Sequence, residues 1–124
     1  MSEIIPKFTG LSKVKTGDGQ KEYDFLIGTN ETVLLEYKSI RDRVVVTNKK
    51  LLTIDTQGIT GRKKEYMTVW LSSVTAFSCE TSGTFDLDSE LKIWSSGVGK
   101  LEYQFIKGTD IRELARVLNE SCGR

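Results

Sequence analysis

The sequence predicts a mainly β domain, a closed or nearly closed antiparallel barrel with one end plugged by a C-terminal helix. Three observations predict it: seven short runs rich in β-branched and apolar residues lie between Val33 and Phe105, tight turns join them, and one amphipathic stretch follows from Asp110. A small antiparallel sheet has open edges and ends that must be covered, and an appended helix covers one of them.

The elements follow in order. Ile4, Ile5, Phe8 and Leu11 stand at helical spacing, interrupted by Pro6 and Gly10, and predict a short helical turn or arm. KTGDGQ (15–20) is small, polar and glycine-containing, which marks a loop, and Lys21 to Ile27 brings Tyr23, Leu26 and Ile27 to one side of a second short helix. VLLEYKSI (33–40) and RVVVT (43–47) form a hairpin, with only Arg41 and Asp42 between them. Asn48 and Lys49 turn the chain into LLTID (51–55), whose partner, roughly Lys64 to Trp70, lies beyond a loop containing Gly58 and Gly61. VTAFSCE (74–80), ELKIWSS (90–96) and LEYQF (101–105) complete the set, the last alternating Leu101, Tyr103 and Phe105 inward against Glu102 and Gln104. Asp110 is the expected N-cap of the helix, with Glu113 three residues on in the reciprocal capping arrangement. Ile111, Leu114, Ala115 and Leu118 form the stripe that plugs the barrel, and Gly123 ends the helix.

Composition bounds the function. A chain of 124 residues with 38% hydrophobic content supports one core rather than two, and this reading divides it into an arm, residues 1–31, and a barrel domain, residues 32–124. Eighteen Lys and Arg against seventeen Asp and Glu leave a formal charge of +1, so no long-range field draws the molecule onto nucleic acid or an anionic membrane. The aromatics Tyr37, Tyr66, Trp70, Trp94 and Tyr103 are scattered over different strands, a core or interface pattern rather than a base-stacking platform, and no nucleic-acid partner is expected. No apolar stretch approaches the roughly 20 residues that cross a bilayer. The opening MSEIIPKFTG has neither a basic n-region nor an apolar h-region, so a cytoplasmic protein is expected.

No catalytic, cofactor or metal signature emerges. Histidine is absent, which removes the commonest proton-transfer and metal-ligating side chain, and the chain is expected not to be an enzyme. Cys79 and Cys122 lack a base partner by spacing and read as packed, reduced thiols. Glu80, Asp86, Asp88 and Glu90 surround the loop SGTFDLDSE, but they lack the glycine and distal glutamate of a calcium-binding loop and read as turn residues. Basic residues recur at Lys38, Arg41 and Arg43, at Lys49 and Lys50, and at Arg62, Lys63 and Lys64, interleaved with Asp42, Asp55 and Glu65. Lys38, Arg41 and Arg43, on the first hairpin, are the candidate anion- or partner-binding residues, through charge-assisted hydrogen bonds.

The succession YKSIRDRVVVTNKKLLTIDTQGITGRKKEY, SSVTAFSCETSGTFDLDSELKIW and KGTDIRELARVL resembles the bacterial proteins with a pleckstrin-homology (PH)-like domain, over about residues 32–120. The resemblance implies a PH-like seven-stranded antiparallel barrel or sandwich capped by a C-terminal α-helix, here with a short N-terminal helical arm. It also implies a bacterial source and ring-like homo-oligomers, and it implies no activity; no cofactor is expected from the residues themselves. Lys38, Arg41 and Arg43 echo, as K-x-x-R-x-R, the basic pattern of lipid-binding PH domains. Yet the hairpin loop is short and Asp42 sits between the arginines, so the chain reads as a module that binds proteins or itself. Binding of an anionic ligand or phospholipid headgroup at the first hairpin is the alternative.

Overall fold

The computed structural model describes residues 7–58, 62–81 and 88–122. In chain order these form β1 (Lys7–Val14), α1 (Gln20–Tyr23) running into a 3-10 turn (Asp24–Leu26), β2 (Val33–Lys38), β3 (Asp42–Thr47), β4 (Lys50–Gln57) and β5 (Lys63–Trp70). A second 3-10 turn (Leu71–Ser73) leads to β6 (Val74–Glu80), β7 (Ser89–Ser95), β8 (Gly99–Phe105) and α2 (Arg112–Ser121). The strands make one sheet in the order β5-β4-β3-β2-β1-β8-β7-β6, antiparallel throughout except where β1 runs parallel to β8. The mainly β class and the C-terminal helix are as expected from the sequence, with eight strands in place of seven.

The additional strand is β1, where the sequence suggested a helical turn or arm. Phe8 and Leu11 are both buried, three residues apart. In a regular strand that spacing would send them to opposite faces. Gly10 adopts φ +72°, and the pairing with β8 shifts register between Phe8 and Leu11. The bulge turns both side chains inward and imitates the helical period.

The coiled sheet wraps one principal core, to which β1 contributes Leu11, β2 Tyr37, β4 Leu51, β7 Ile93 and β8 Phe105. Helix α2 closes one end: Ile111, Leu114 and Leu118 are buried, and Ala115 is half-buried. The expected stripe is therefore present, but the capping differs. Asp110 Oδ1 accepts from the backbone N–H of Arg112 at 3.0 Å and from its guanidinium at 2.9 Å, while Glu113 turns away to accept from Lys13 Nζ at 2.9 Å. A partner on β1 thus replaces the local capping box. Gly123 and Asp86 lie outside the described residues.

A second apolar layer forms on the outer face. Tyr23, Val45, Leu52 and Ile54 are buried together, with Leu26, Ile27, Val33 and Tyr66 packed against them. This explains why VVV and LLTI are unbroken apolar runs: β3 and β4 are covered on both faces, so alternation is lost. The cover is residues 15–31, a strap that crosses the outside of β2 to β5.

Leu11→Ala tests the placement of β1. A fully buried Leu lost from the core costs about 2–5 kcal/mol, against nearly nothing for a residue of a peripheral arm. Urea denaturation of the variant is expected to show a loss in that range with an unchanged denaturant slope.

Candidate functional site

The hairpin of β2 and β3 carries the three cations singled out from the sequence, and the structure separates their roles. Lys38 and Arg43 are cross-strand partners. Ser39, Ile40 and Arg41 form the connection, closed by Ser39 N–H to Asp42 O at 2.8 Å and Asp42 N–H to Ser39 Oγ at 2.9 Å. Lys38 and Arg41 are exposed, and Ile40 stands fully in solvent between them. The Arg41 guanidinium reaches across to the carbonyl of Gly58 at 2.8 Å. Together with Lys64 of β5 and Glu22 of α1, they line a shallow cleft of about 220 Å³.

Arg43 lies on the outer face of the sheet, buried under the strap. Its guanidinium donates to Glu36 Oε2 at 2.5 Å and Asp18 Oδ2 at 3.2 Å, and lies 3.4 Å from Glu22 Oε2. Glu36 is wholly buried in the middle of β2. It also accepts from the backbone N–H groups of Gly17 (2.9 Å) and Gly19 (2.8 Å) and from the Tyr23 hydroxyl (2.5 Å). Burial and the hydrogen bond to Glu36 both hold the Tyr23 hydroxyl protonated far above its ordinary range. Burial by itself disfavours the charged Arg43, but its bonds to Asp18 and Glu36 outweigh that and raise its pKa.

The glycines of KTGDGQ are what make this possible. Gly17 has φ +92°, and a Cβ on Gly19 would overlap the Arg43 guanidinium. The loop is thus a carboxylate cradle, which the sequence reading missed. Its signal was available: a lone Glu within the apolar run VLLEYK, downstream of two glycines spaced two apart.

A second polar cluster fastens the far end of the strap. Glu31 accepts from Gly28 N–H at 2.8 Å, Thr47 Oγ1 at 2.5 Å and Lys50 Nζ at 3.1 Å, and Lys50 also donates to the Leu26 carbonyl. Burial raises the Glu31 pKa, but these donors more than reverse it and leave the carboxyl below its usual range. Lys49 remains exposed. Of the acidic loop, Asp88 accepts from Gln104 at 2.9 Å and Glu90 pairs with Lys7 at 3.6 Å. Cys79 is exposed at the end of β6, and Cys122 is half-buried against the core.

The strand order, the plugging helix and the motif succession find direct counterparts. The sequence profile of the bacterial PH domain matches residues 5–122. The chain belongs to the bacterial PH domain family. This bacterial PH domain is 41% identical over 113 residues to the uncharacterized protein YjqA of Bacillus subtilis (strain 168), covering 90% of each chain. A DUF1696-family protein with a pleckstrin-homology domain from Shewanella loihica PV-4 superposes with a TM-score of 0.79 at 38% identity, covering 91% of this chain and 97% of that one. The pleckstrin-homology domain from Shewanella amazonensis SB2B gives 0.70 at 37% identity, covering 91% and 92%. No helix among the described residues is long and apolar enough to cross a membrane.

Removing one member of a buried, hydrogen-bonded ion pair typically costs about 3–5 kcal/mol. Arg43→Ala is therefore expected to unfold at markedly lower denaturant than the wild-type PH domain. Lys38→Ala and Arg41→Ala, at exposed positions, should fall within about 0.5 kcal/mol of it. Chemical denaturation of the three variants side by side reads the difference.

Proposed function

We propose that this PH domain is a non-catalytic assembly and interaction module that forms a homo-oligomer, a closed ring, through contacts between unlike surfaces of neighbouring subunits. One observation carries the reading: the sheet is open, and each of its two edges has an exposed tryptophan beside it. Trp70 ends the edge strand β5 and is 52% exposed. Trp94, 36% exposed, lies opposite Ala76 of the other edge strand, β6. Unpaired edge groups accept a further strand, and exposed aromatics supply apolar area for a partner to cover. The two edges differ in sequence, so a contact joining one to the other has no two-fold axis and makes a ring where its rotation closes, as proposed here, rather than an open filament. A formal charge of +1 sets little repulsion against such association.

A second reading rests on the cleft at the first hairpin, where Lys38 and Arg41 are exposed to an anion, Arg41 through the donors that its bond to the Gly58 carbonyl leaves over. It assigns the headgroup of an anionic lipid or another phosphorylated ligand to those two residues. Arg43 serves it only indirectly, by holding the cleft wall in place.

Light scattering coupled to size exclusion tests the assembly. The full chain is expected to elute as a discrete multimer, and Trp70→Ser or Trp94→Ser should shift it toward smaller species without loss of folded signal. A monomeric mass at high micromolar concentration overturns the ring. Salt-sensitive flotation with phosphatidylglycerol vesicles, lost in the Lys38→Ala, Arg41→Ala double variant, would favour the second reading.

A further inference from the structure

Three carboxylates stand in one row across three strands. Asp42 of β3 is in direct register with Asp55 of β4, and Asp55 with Glu65 of β5. The alternation of these strands puts the row on the inner face, on the same side as Val44, Thr53 and Met67, at the end of the sheet where the β2–β3 connection lies. Like charges directly opposite one another on neighbouring strands repel. Water screens the exposed Glu65, but the half-buried Asp42 and Asp55 are relieved of their repulsion only by cations or by carrying fewer than two charges between them.

Compensating cations are scarce. None of the three carboxylates has an ion pair among the described residues. Arg41 lies close enough to favour an ionised Asp42, but its guanidinium donates to Gly58. Lys63 shares the face of Glu65 and opposes Gln57, whose amide donates to Asp55 Oδ2 at 3.2 Å. On the outer face, Lys38 is directed away, Lys64 is held by Glu22, and Arg43 by Glu36, Asp18 and Glu22. The inward residues of β6, β7 and β8 are uncharged, and on β1 Lys13 is engaged by Glu113. Asp42 Oδ1 is shut off from solvent with no hydrogen-bond partner.

We propose that Asp42 and Asp55 share a proton, and that this carboxyl–carboxylate pair, with Glu65 as the charge at the end of the row, is a pH-sensitive latch on the β2–β3 connection. The residue that holds the proton also closes the turn. Asp42 O and N–H both bond Ser39, and the neighbouring Arg41 carbonyl accepts from Thr56 N–H at 3.3 Å. With the proton in place, the row carries a hydrogen bond where it would otherwise carry a repulsion. Loss of the proton pushes Asp42 away from β4 and strains those turn bonds. Burial, and then the hydrogen bond to Asp55 and its charge, push the Asp42 carboxyl up to about 6 against the Thr56 N–H and Arg41, which favour its ionised form, in accord with this geometry. The carboxyl is raised above its unfolded value, so its stabilising contribution is complete at pH below about 4 and is lost as pH rises through about 6.

Hydrogen exchange at the Ser39, Asp42 and Thr56 amides, expressed as protection factors, tests the latch in the full chain alongside carbon-13 titration of the carboxyl groups. Between pH 4.5 and 7.5 the wild type is expected to lose protection there by about tenfold or more, with one carboxyl titrating near 6. Asp42→Asn removes the proton donor and the charge together and should make protection independent of pH. Glu65→Gln keeps the pair but removes the charge beside it, and should move the titration of Asp42 downward. Should Asp42→Asn fail to fold, the Glu65→Gln shift still decides the matter. The proposal is overturned by a carboxyl at Asp42 that titrates near 4, by protection in the wild type that does not change with pH, or by an Asp42→Asn protein that keeps the wild-type dependence.

Discussion

The buried carboxylate of Glu36 is the constraint on which the rest of this molecule depends. An ionised side chain without solvent is tolerable only when partners surround it, and its partners come from three separate parts of the chain. The loop supplies Gly17 and Gly19, α1 supplies Tyr23, and β3 supplies Arg43. The two glycines and Tyr23 are in place only when the strap lies across the sheet. The strap in turn lays Tyr23 on Val45, Leu52 and Ile54, the apolar outer face that would otherwise be in water. The polar cluster and the outer core are therefore one cooperative unit. Glu31 and Lys50 repeat the device at the far end of the strap, which is held at both ends by charge and in the middle by apolar contact.

Most of the fold was legible because the signals were local. Strand alternation in LEYQF, the stripe on α2 and the turn residues each depend on a few neighbouring positions, and each appears where the sequence put it. What was not legible depended on distant partners. β1 presents an apolar spacing of three that belongs equally to a helix and to a bulged strand, and only the pairing of Phe8 with Tyr103 and Leu11 with Phe105 decides between them. Glu113 has the spacing of a capping box, but a lysine 100 residues earlier is the better partner. Arg43 looks identical to Arg41 in a list of basic residues. Strand alternation distinguishes them only once a carboxylate is known to wait on the strap-covered face, and the position of Glu36 in an apolar run was the available clue.

The nearly neutral composition conceals an uneven use of charge. Arg43, Lys50 and Lys64 are consumed within the strap by Glu36, Glu31 and Glu22. Cations that a tally would assign to a binding surface are thus structural. Asp42, Asp55 and Glu65, by contrast, receive no such partner among the described residues and are left facing one another. Formal charge is a property of the whole chain, whereas recognition and stability depend on which charges remain uncompensated after folding.

The same unevenness distinguishes the two edges of the sheet. β5 begins with Lys63, Lys64 and Glu65, all exposed, charges that guard the start of that edge only, while Tyr66 to Trp70 carry none. β6 runs from Val74 to Cys79 without a charge and is mostly exposed. An edge guarded at one end and an edge not guarded at all do not form equivalent contacts. Two like β6 edges could pair only once, about a two-fold axis, and leave both β5 edges unused. In the proposed ring, a contact between unlike edges would use every edge and would cover the Trp70 and Trp94 sides in the same step. For the proposed assembly, then, the asymmetry of the sheet fits a cyclic arrangement better than a dimer.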